Sequence, residues 1–261
     1  MKLAVHGATG RMGVAVTRLA SESKDVKIVG AVAAVNDPKQ GRDVGEIAGV
    51  GNLGVAVMAD VASALIGADV VIDFSAAAAL RPLLSTAARS GIAVVSGTTN
   101  LDPETLAALE RTAEKVPVLW APNMSLGVQV LAELVELALK RLGPGFDAEI
   151  VEIHHRRKID APSGTAKRLA DAVRSVRPAA LEIRGRDGDV GLRTDEEVAV
   201  FGVRGGDVIG DHTVFLLGTG ERLELTHRAS SRDLFAEGAL RAARFVLGKK
   251  PGRYAIRDVL G

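Results

Sequence analysis

The sequence of 261 residues contains no cysteine. This excludes disulfide bonds, thiolate metal sites, iron–sulfur clusters and a cysteine nucleophile. Aromatic residues are also few, with six Phe, one Tyr and one Trp, which is sparse for a protein that stacks the bases of single-stranded nucleic acid. With 33 basic and 32 acidic side chains, the chain has no excess charge to attract DNA or an anionic membrane, so neither partner is expected.

Long apolar runs are absent as well. The longest stretch without Asp, Glu, Lys or Arg has 17 residues, 116–132, and it includes Pro117, Pro122 and Asn123, which suit a membrane helix poorly. Residues 1–10 lack the charged segment and long apolar segment of a secretory signal. The expected location is therefore the cytoplasm.

Two patterns of apolar residues divide the chain near Asn123. Before it, short β-branched runs alternate with helical patterns, which predicts an α/β domain with a Rossmann-type parallel sheet. After it, the pattern predicts an α+β domain with a mixed, largely antiparallel sheet, in which Gly205–Gly206 and Gly218–Gly220 are expected as hairpin turns. The predicted strands are 3–6, 26–32, 69–74, 92–95, 116–120, 149–155, 197–203, 213–217 and 222–227. The predicted helices are 11–22, a segment opening at Asp102–Pro103, a segment capped by Ser125 and ending near Leu142, 165–176, and 233–247.

A glycine pattern lies between the first predicted strand and helix. Gly7, Gly10 and Gly13 would permit a tight turn, close approach of the backbone to a pyrophosphate and close packing of helix on strand. The N-terminus of the helix adds free N–H groups and a positive dipole end. The position of the pattern favours dinucleotide binding, although a glycine-rich turn without a cofactor has the same sequence.

The acidic residue that usually binds the adenosine ribose is missing after the second strand. Residues Ala33, Ala34 and Val35 stand there, and the nearest charged side chains are Asp37 and Lys39. The sequence therefore leaves the choice between NADH and NADPH open.

The segment from Glu152 to Ala166 carries the most chemistry. It reads EIHHRRKIDAPSGTA, with five basic or imidazole side chains followed by a helix start at 162–165. That helix N-terminus would bind a carboxylate, and a neighbouring histidine would transfer a proton. A solvated basic strand end with a capped helix is the competing interpretation. His154 and Lys158 lie roughly 13 Å apart in an extended chain, so they serve one small substrate only if the chain bends.

Other loops have weaker signals. Gly97–Thr99 and 121–125 each follow a predicted strand, at the edge where parallel sheets bind ligands, or they are ordinary loops. The Gly/Arg loops 184–193 and 204–207 would either bind anions or form turns with solvated charged side chains. His212 and His227 lack the spacing of metal ligands and are interpreted as structural, and no metal is expected.

Taken together, these motifs resemble the 4-hydroxy-tetrahydrodipicolinate reductase (dihydrodipicolinate reductase) family of lysine and diaminopimelate biosynthesis. The resemblance covers essentially the whole chain and is most specific in the string HHxxKxDxPSGT, which begins at His154. It extends to GATGRMG from Gly7, GTT from Gly97, APNMS from Ala121 and RGGDVIGDHT from Arg204. The family transfers hydride from NADH or NADPH to C4 of a cyclic dicarboxylate, and the sequence does not tell whether this substrate is hydrated.

The resemblance also implies roles for individual residues. His154 would be the proton donor, and Lys158 would bind a carboxylate or share the proton transfer. Substrate contacts would come from His155, Ser163, Gly164 and Thr165. The cofactor would be bound by Gly7, Ala8, Thr9, Gly10, Arg11, Met12, Gly97, Thr98, Thr99, Ala121, Pro122, Asn123 and Met124.

Domain organisation and assembly follow from the same resemblance. It implies a dinucleotide-binding domain over 1–125, with a final segment 233–261 packing back on it, and a substrate-binding and oligomerisation domain over 126–232. A homotetramer built through the sheets of the second domain is expected. The chain departs from the family at Ala33–Val35 and at Ser75–Ala76, where relatives often carry charged residues, and this concerns cofactor preference.

Two other functions remain open from the sequence. The first is another two-domain NAD(P)-dependent dehydrogenase that acts on an amino-acid-derived semialdehyde or imine. It fits the nucleotide-binding half equally well, but it does not explain the residues of the segment 152–166. The second is a non-enzymatic dinucleotide-sensing module, which would bind cofactor without turnover. Such a module does not require a proton donor beside an anion site.

Overall fold

The computed structural model describes all residues from 1 to 261. They form two compact units, the first made of 1–124 with 233–261 and the second of 125–232. None of the helices combines the length and apolarity needed to cross a membrane.

The first unit contains a seven-stranded sheet in which every pairing is parallel, which confirms the Rossmann-type prediction. Its strands are β1 (Lys2–His6), β2 (Lys27–Val32), β3 (Val57–Met58), β4 (Val70–Asp73), β5 (Ala93–Ser96), β6 (Pro117–Trp120) and β12 (Gly252–Tyr254). Their order across the sheet is β12-β6-β5-β4-β1-β2-β3. The order reverses at β1, so the loops after β1 and β4 open on the edge where such sheets bind ligands.

Helices cover this sheet where the sequence supplies start signals. They are α1 (Arg11–Glu22), α2 (Val44–Ala48), α3 (Val61–Ala64), α4 (Ala77–Ser90), α5 (Pro103–Ala113) and α8 (Asp233–Val246), followed by a 3₁₀ helix at Ile256–Val259. The predicted bounds of α1 are met at both ends. Asp102 caps α5 by accepting a hydrogen bond from the Thr105 N–H at 2.7 Å, as the Asp-Pro start predicts.

The last segment of the chain returns to the first unit through close contacts. Helix α8 packs on α1, and Asp233 accepts a hydrogen bond from Arg18 at 2.6 Å. A Cβ on Gly238 would lie 1.8 Å from the carbonyl oxygen of Met124, so only glycine lets the helix approach this loop. Strand β12, which the apolar pattern did not predict, then extends the sheet beside β6.

The second unit is a mixed five-stranded sheet with two helices on one face. Its strands are β7 (Asp147–His154), β8 (Leu181–Ile183), β9 (Glu197–Arg204), β10 (Asp211–Gly218) and β11 (Glu221–Arg228), and its helices are α6 (Leu126–Leu142) and α7 (Gly164–Val176). The order β11-β10-β7-β9-β8 contains two antiparallel and two parallel pairings. The buried residues of β7, including Ala148 and Ile150, alternate with half-buried ones and pack on α6 and α7.

One expected hairpin is wrong. The turn at Gly218–Gly220 does join antiparallel neighbours β10 and β11. Gly205–Gly206, however, joins β9 to β10, which are separated by β7. The connection 205–210 crosses the end of β7 instead, where His155 N–H bonds to Val208 O at 2.7 Å. Strand β7 takes the place between them because it pairs along both of its edges, antiparallel to β10 and parallel to β9.

Candidate active site

A buried histidine–carboxylate pair lies at the end of β7. Glu152 and His154 are two residues apart, so both side chains point to the helix-covered face of the sheet. Glu152 is 0% exposed and His154 is 8% exposed. His154 Nδ1 lies 2.5 Å from Glu152 Oε2, so an N–H at Nδ1 donates to the carboxylate and leaves Nε2 for other chemistry.

Helix α7 begins beside this pair. Ser163 caps it, since its hydroxyl oxygen accepts from the Ala166 N–H at 3.1 Å. The Ser163 N–H donates to Glu152 Oε1 at 3.1 Å. This N–H is therefore already engaged by a buried carboxylate, and the substrate contact of Ser163 stays a prediction. The exposed N-terminus of the helix begins at Gly164, around whose Cα the space is open.

His212 belongs to the same cluster. Its ring and that of His154 are 5.1 Å apart and nearly perpendicular. Its Nε2 lies 3.0 Å from Ser163 Oγ, which also accepts from the Ala166 N–H. Its Nδ1 is buried without a hydrogen-bond partner.

The chain bends directly after the strand, as a shared role for His154 and Lys158 requires. Strand β7 ends at His154, and the Lys158 N–H bonds back to His155 O at 3.0 Å in a turn. The Lys158 ammonium lies 2.8 Å and 2.9 Å from the two Asp160 carboxylate oxygens. His155 Nε2 lies 3.2 Å from Arg232 Nη2, while its Nδ1 is buried without a partner.

Charge and burial oppose each other in the cluster. Burial lowers the pKa of His154, and the Glu152 carboxylate raises it by a smaller amount, so the net pKa lies below the ordinary value. Burial raises the pKa of Glu152, but hydrogen bonds from Arg204 and His154 outweigh that effect. Burial and the charge of His154 lower the pKa of His212 to about 3, so His212 is neutral.

The glycine loop of the first unit has the geometry of a dinucleotide cradle. Gly7 has φ +77°, and a Cβ there would lie 2.5 Å from Phe74 O. A Cβ on Gly13 would lie 2.2 Å from Gly7 O, so glycine lets α1 pack closely on β1. No side chain caps α1, and the N–H groups of its first turn, at Arg11 and Met12, point to the loop. Ala8 is buried and Gly10 precedes the helix.

A buried carboxylate joins the loops around this cradle. The last residues of three neighbouring strands, His6, Asp73 and Ser96, lie side by side in the register. Asp73 accepts hydrogen bonds from His6 Nδ1 and from the hydroxyls of Ser75, Ser96 and Thr98 at 2.6–2.7 Å. Burial raises its pKa, but these hydrogen bonds keep the pKa below the ordinary value.

The remaining cofactor candidates divide into anchored and exposed residues. The Thr98 side chain is committed to Asp73, and Thr98 O accepts from the Trp120 indole at 2.8 Å. A Cβ on Gly97 would lie 2.1 Å from the Phe74 ring, and Thr99 is exposed. In the segment 121–124, Ala121 and Met124 are buried, Pro122 is exposed and Asn123 is half-buried.

The region after β2 brings an acid to the glycine loop. The Thr9 hydroxyl donates to Asp37 Oδ2 at 2.6 Å, and the Lys39 N–H donates to Asp37 Oδ1 at 2.8 Å. The Thr9 hydrogen bond, followed by that of Lys39, lowers the Asp37 pKa. A carboxylate therefore stands beside the loop although Ala33–Val35 supply none.

The arginine side chains of the Gly/Arg loop 184–193 form ion pairs within the second unit. Arg186 bonds to Glu149 and Glu197, and Arg193 bonds to Asp147 and Glu149. These guanidinium groups are matched by carboxylates, which favours the interpretation as a structural loop.

Sequence reasoning did not identify Glu152, Arg204, Gly210 and His212 as parts of the cluster. Arg204 contacts both oxygens of Glu152 at 2.7 Å and 2.8 Å. A Cβ on Gly210 would lie 2.9 Å from His154 Nε2. The spacing of Glu152 and His154 by two residues was an available signal, since it puts both on one face of a strand. The other three depend on the order of the strands.

Comparisons with known proteins agree with this arrangement. The family model described as "Dihydrodipicolinate reductase, N-terminus" matches residues 1–124, and "Dihydrodipicolinate reductase, C-terminus" matches residues 127–260. A 4-hydroxy-tetrahydrodipicolinate reductase of Anaeromyxobacter dehalogenans is 48% identical, over 100% of this chain and 97% of the relative. The reductase of Methanopyrus kandleri is 49% identical, over 98% of this chain and 95% of the relative.

A solved structure has the same fold. The dipicolinate-bound dihydrodipicolinate reductase from Paenisporosarcina sp. TG-14 matches with a TM-score of 0.79 and 22% identity, covering 98% of this chain and 97% of that one. The two family models together span both units, and the sequence identities hold over full length. The chain therefore belongs to the dihydrodipicolinate reductase family.

Proposed function

We propose that this chain catalyses the reduction of 4-hydroxy-tetrahydrodipicolinate (dihydrodipicolinate) to tetrahydrodipicolinate in lysine and diaminopimelate biosynthesis, with NADH or NADPH. Family membership supports the reaction. The observation that carries the proposal for this site is the buried His154 at the end of β7, beside the N-terminus of α7 and Lys158. A proton donor next to cationic groups suits a dicarboxylate that gains a hydride and a proton.

The substrate carboxylates would be bound by groups after β7. Lys158 supplies a positive charge, and the N-terminus of α7, at Gly164 and Thr165, supplies backbone N–H groups and a positive dipole end. His155 supports this assignment because its buried Nδ1 has no partner within the protein. With Arg232 beside Nε2, the hydrogen resides on Nδ1, a buried donor that has no acceptor within the protein. Ser163 contributes as the cap that orients the helix.

His154 would deliver the proton from Nε2. Its pKa is lowered by burial in the protein alone, and a bound dianion would raise it again by favouring the imidazolium. In the dehydrated, α,β-unsaturated imine form of the substrate, which the 4-hydroxy form gives by loss of water, the proton then goes to the carbon next to C4, where electron density collects as the hydride adds. The proton is thus transferred from a group that becomes charged when substrate is present.

The residues of the first unit fit a nicotinamide dinucleotide. Gly7 to Met12 would hold the pyrophosphate at the N-terminus of α1, where a side chain in place of Gly7 or Gly13 would collide with backbone. Gly97 to Thr99 and Ala121 to Met124 would flank the nicotinamide. When bound, this cofactor supplies the hydride. The Asp73 cluster would hold the two loops at a constant distance.

For cofactor preference we propose NADH over NADPH. The Asp37 carboxylate stands beside Thr9 of the glycine loop and is ionised at neutral pH. A carboxylate here would accept hydrogen bonds from the ribose hydroxyls and would repel the 2′-phosphate of NADPH.

We also propose a homotetramer formed through the open face of the second sheet. Helices α6 and α7 cover one face, and the other carries apolar side chains such as Val151, Phe201, Val203 and Phe215, of which Val203 is 46% exposed. An apolar face of this kind favours association. Sedimentation of the wild type and V203K would test it: a smaller species for V203K is expected, and a wild-type monomer would contradict the proposal.

A spectrophotometric assay tests the reaction. The substrate is made in place from pyruvate and aspartate semialdehyde by its synthase, and loss of nicotinamide absorbance is followed with NADH and NADPH in parallel. Oxidation that depends on the substrate is expected, faster with NADH. No oxidation by protein that binds cofactor would contradict the proposal, and activity on an open-chain semialdehyde or imine would then indicate a different dehydrogenase.

A further inference from the structure

The Glu152 carboxylate is fully enclosed by hydrogen-bond donors. Oε2 accepts from His154 Nδ1 at 2.5 Å and from Arg204 Nη1 at 2.7 Å. Oε1 accepts from Arg204 Nη2 at 2.8 Å and from the Ser163 N–H at 3.1 Å. Four donors on two oxygens leave the buried carboxylate one orientation.

The strand β9 is built to bring Arg204 to this carboxylate. Arg204 pairs with His154 in the register of β7 and β9, and Gly202 pairs with Glu152. A Cβ on Gly202 would lie 3.1 Å from Glu152 Oε1 and 3.5 Å from the guanidinium nitrogens. Glycine therefore leaves room for the bidentate contact. Arg204 also donates to Asp160 O at 2.7 Å, so it ties the strand end to the turn after it.

We propose that Glu152 is the positioning residue of this reaction, which holds the hydrogen of His154 on Nδ1 and so makes Nε2 the atom that delivers the proton. The proposal rests on the role of His154 in the proposed function. It adds that one carboxylate fixes both the proton donor and, through Ser163, the start of the helix that binds the substrate.

The charges around His154 explain why an anion is needed here. The groups that face it from other elements are Lys158 after β7, Arg204 on β9 and His212 on β10. The first two are cations, His212 is neutral, and Asp160 is engaged by Lys158. Glu152 is therefore the single anion in contact with the ring, and without it the imidazolium would face only positive and neutral groups.

Replacing Glu152 by glutamine keeps the shape but reverses the hydrogen bonding. An amide NH₂ at the Oε1 position would face two donors, Arg204 Nη2 and the Ser163 N–H. At the Oε2 position the NH₂ faces a single fixed donor, Arg204 Nη1, because the other partner, His154 Nδ1, can give up its hydrogen. The NH₂ therefore takes the Oε2 position and donates to His154 Nδ1. The ring hydrogen moves to Nε2, and a second proton can no longer be added at Nδ1 without a donor–donor clash. The same exchange disables a serine-protease triad by selecting the wrong tautomer.

Steady-state kinetics of E152Q tests the proposal. We expect kcat to fall about 100-fold, within the range for loss of a general acid, while KM and the affinity for dipicolinate change less than about fivefold, since the amide oxygen still accepts from Ser163. The high-pH limb of kcat/KM should move to lower pH by about one unit, because the imidazolium has lost its anion. E221Q is the control: Glu221 lies at an exposed position of β11 in the same sheet, away from the cluster, and E221Q should retain wild-type kinetics.

A double-mutant cycle separates positioning from a structural role. If Glu152 acts through His154, E152Q should lower kcat less than about twofold in the H154A background. Additive losses would overturn the proposal. Near-normal kcat in H154A would instead overturn the role of His154 in the proposed function, and an inactive H154A with a fully active E152Q would overturn this inference alone.

The wild-type protein provides a test that does not depend on folding of a variant. Nitrogen-15 NMR of the labelled imidazole should show His154 protonated at Nδ1 in the neutral ring, with a strongly deshielded proton. A neutral ring protonated at Nε2 would overturn the proposal.

Discussion

Adding a methyl group at Gly210 should disable His154 without removing any functional group. Gly210 precedes β10, and a Cβ there would lie 2.9 Å from His154 Nε2 and 3.4 Å from His212 Cε1. Apolar contacts normally lie at about 3.5–4.0 Å, so Nε2 must move by roughly 0.6–1 Å. The Nδ1 side is held by Glu152 at 2.5 Å, and the ring can yield only by tilting its free nitrogen.

The size of this tilt determines the expected loss of kcat. A misplacement of about 1 Å at a reacting atom costs on the order of 100-fold in rate, so we expect kcat of G210A to be about 10- to 100-fold lower than that of the wild type. Overpacking should lower the free energy of unfolding by about 1–3 kcal/mol. Cofactor affinity should be unchanged, because the glycine cradle belongs to the other unit.

The assay compares G210A with G205A in the same connection between β9 and β10. Gly205 has open space where its Cβ would be, so G205A controls for the stiffer backbone. Stopped-flow turnover gives kcat, and calorimetric titration with dipicolinate gives binding. A G210A variant that is less stable but retains wild-type kcat would refute the assignment of Nε2 as the reacting atom.

Three further predictions concern other parts of the chain. D73N should weaken cofactor binding by about tenfold and lower the free energy of unfolding by roughly 2–4 kcal/mol, since an amide cannot accept from all the donors that surround Asp73; unchanged cofactor affinity by fluorescence titration would exclude this role. D37N should raise the ratio of kcat/KM for NADPH to that for NADH by about tenfold, and a ratio equal to that of the wild type would contradict ribose recognition by Asp37. His212 has a pKa of about 3 when folded, so the unfolded chain takes up the proton first, and stability should decline as pH falls below about 6.5, by up to about 1.4 kcal/mol per pH unit. In urea denaturation at pH 7 and pH 5, H212Q should lose less stability than the wild type, and equal losses would contradict that contribution.

The parallel sheet of the first unit was predictable because its signals are local. The helix over Arg11–Glu22 starts after a glycine loop, and Asp102 with Pro103 marks the start of α5 within the chain itself. Strand β3, with two residues, and β12, which joins the sheet beside β6, were missed because they are too short for an apolar pattern.

The order of the second sheet was not predictable in the same way. Gly205–Gly206 has the composition of a hairpin turn, but the pairing of β9 is decided by β7, which precedes it by more than forty residues. The contacts of Arg204, Gly210 and His212 with the pair Glu152–His154 follow from that order. Local patterns indicated the chemistry of the segment 152–166, whereas the groups that orient it come from distant parts of the chain.

The Asp73 cluster is an intermediate case. His6, Asp73 and Ser96 each end an apolar strand, and a polar residue at the last position of adjacent parallel strands indicates a shared network. The strands were predicted, but their adjacency was required to connect the three side chains.

The most direct test of the account compares wild type and H154A in the same substrate-dependent assay of nicotinamide oxidation. We predict that the wild type oxidises the cofactor and that H154A lowers kcat by at least about 100-fold, while dissociation constants for dipicolinate and for the cofactor change less than about fivefold. A kcat for H154A within twofold of the wild type would contradict the claim that the buried histidine at the end of β7 delivers the proton.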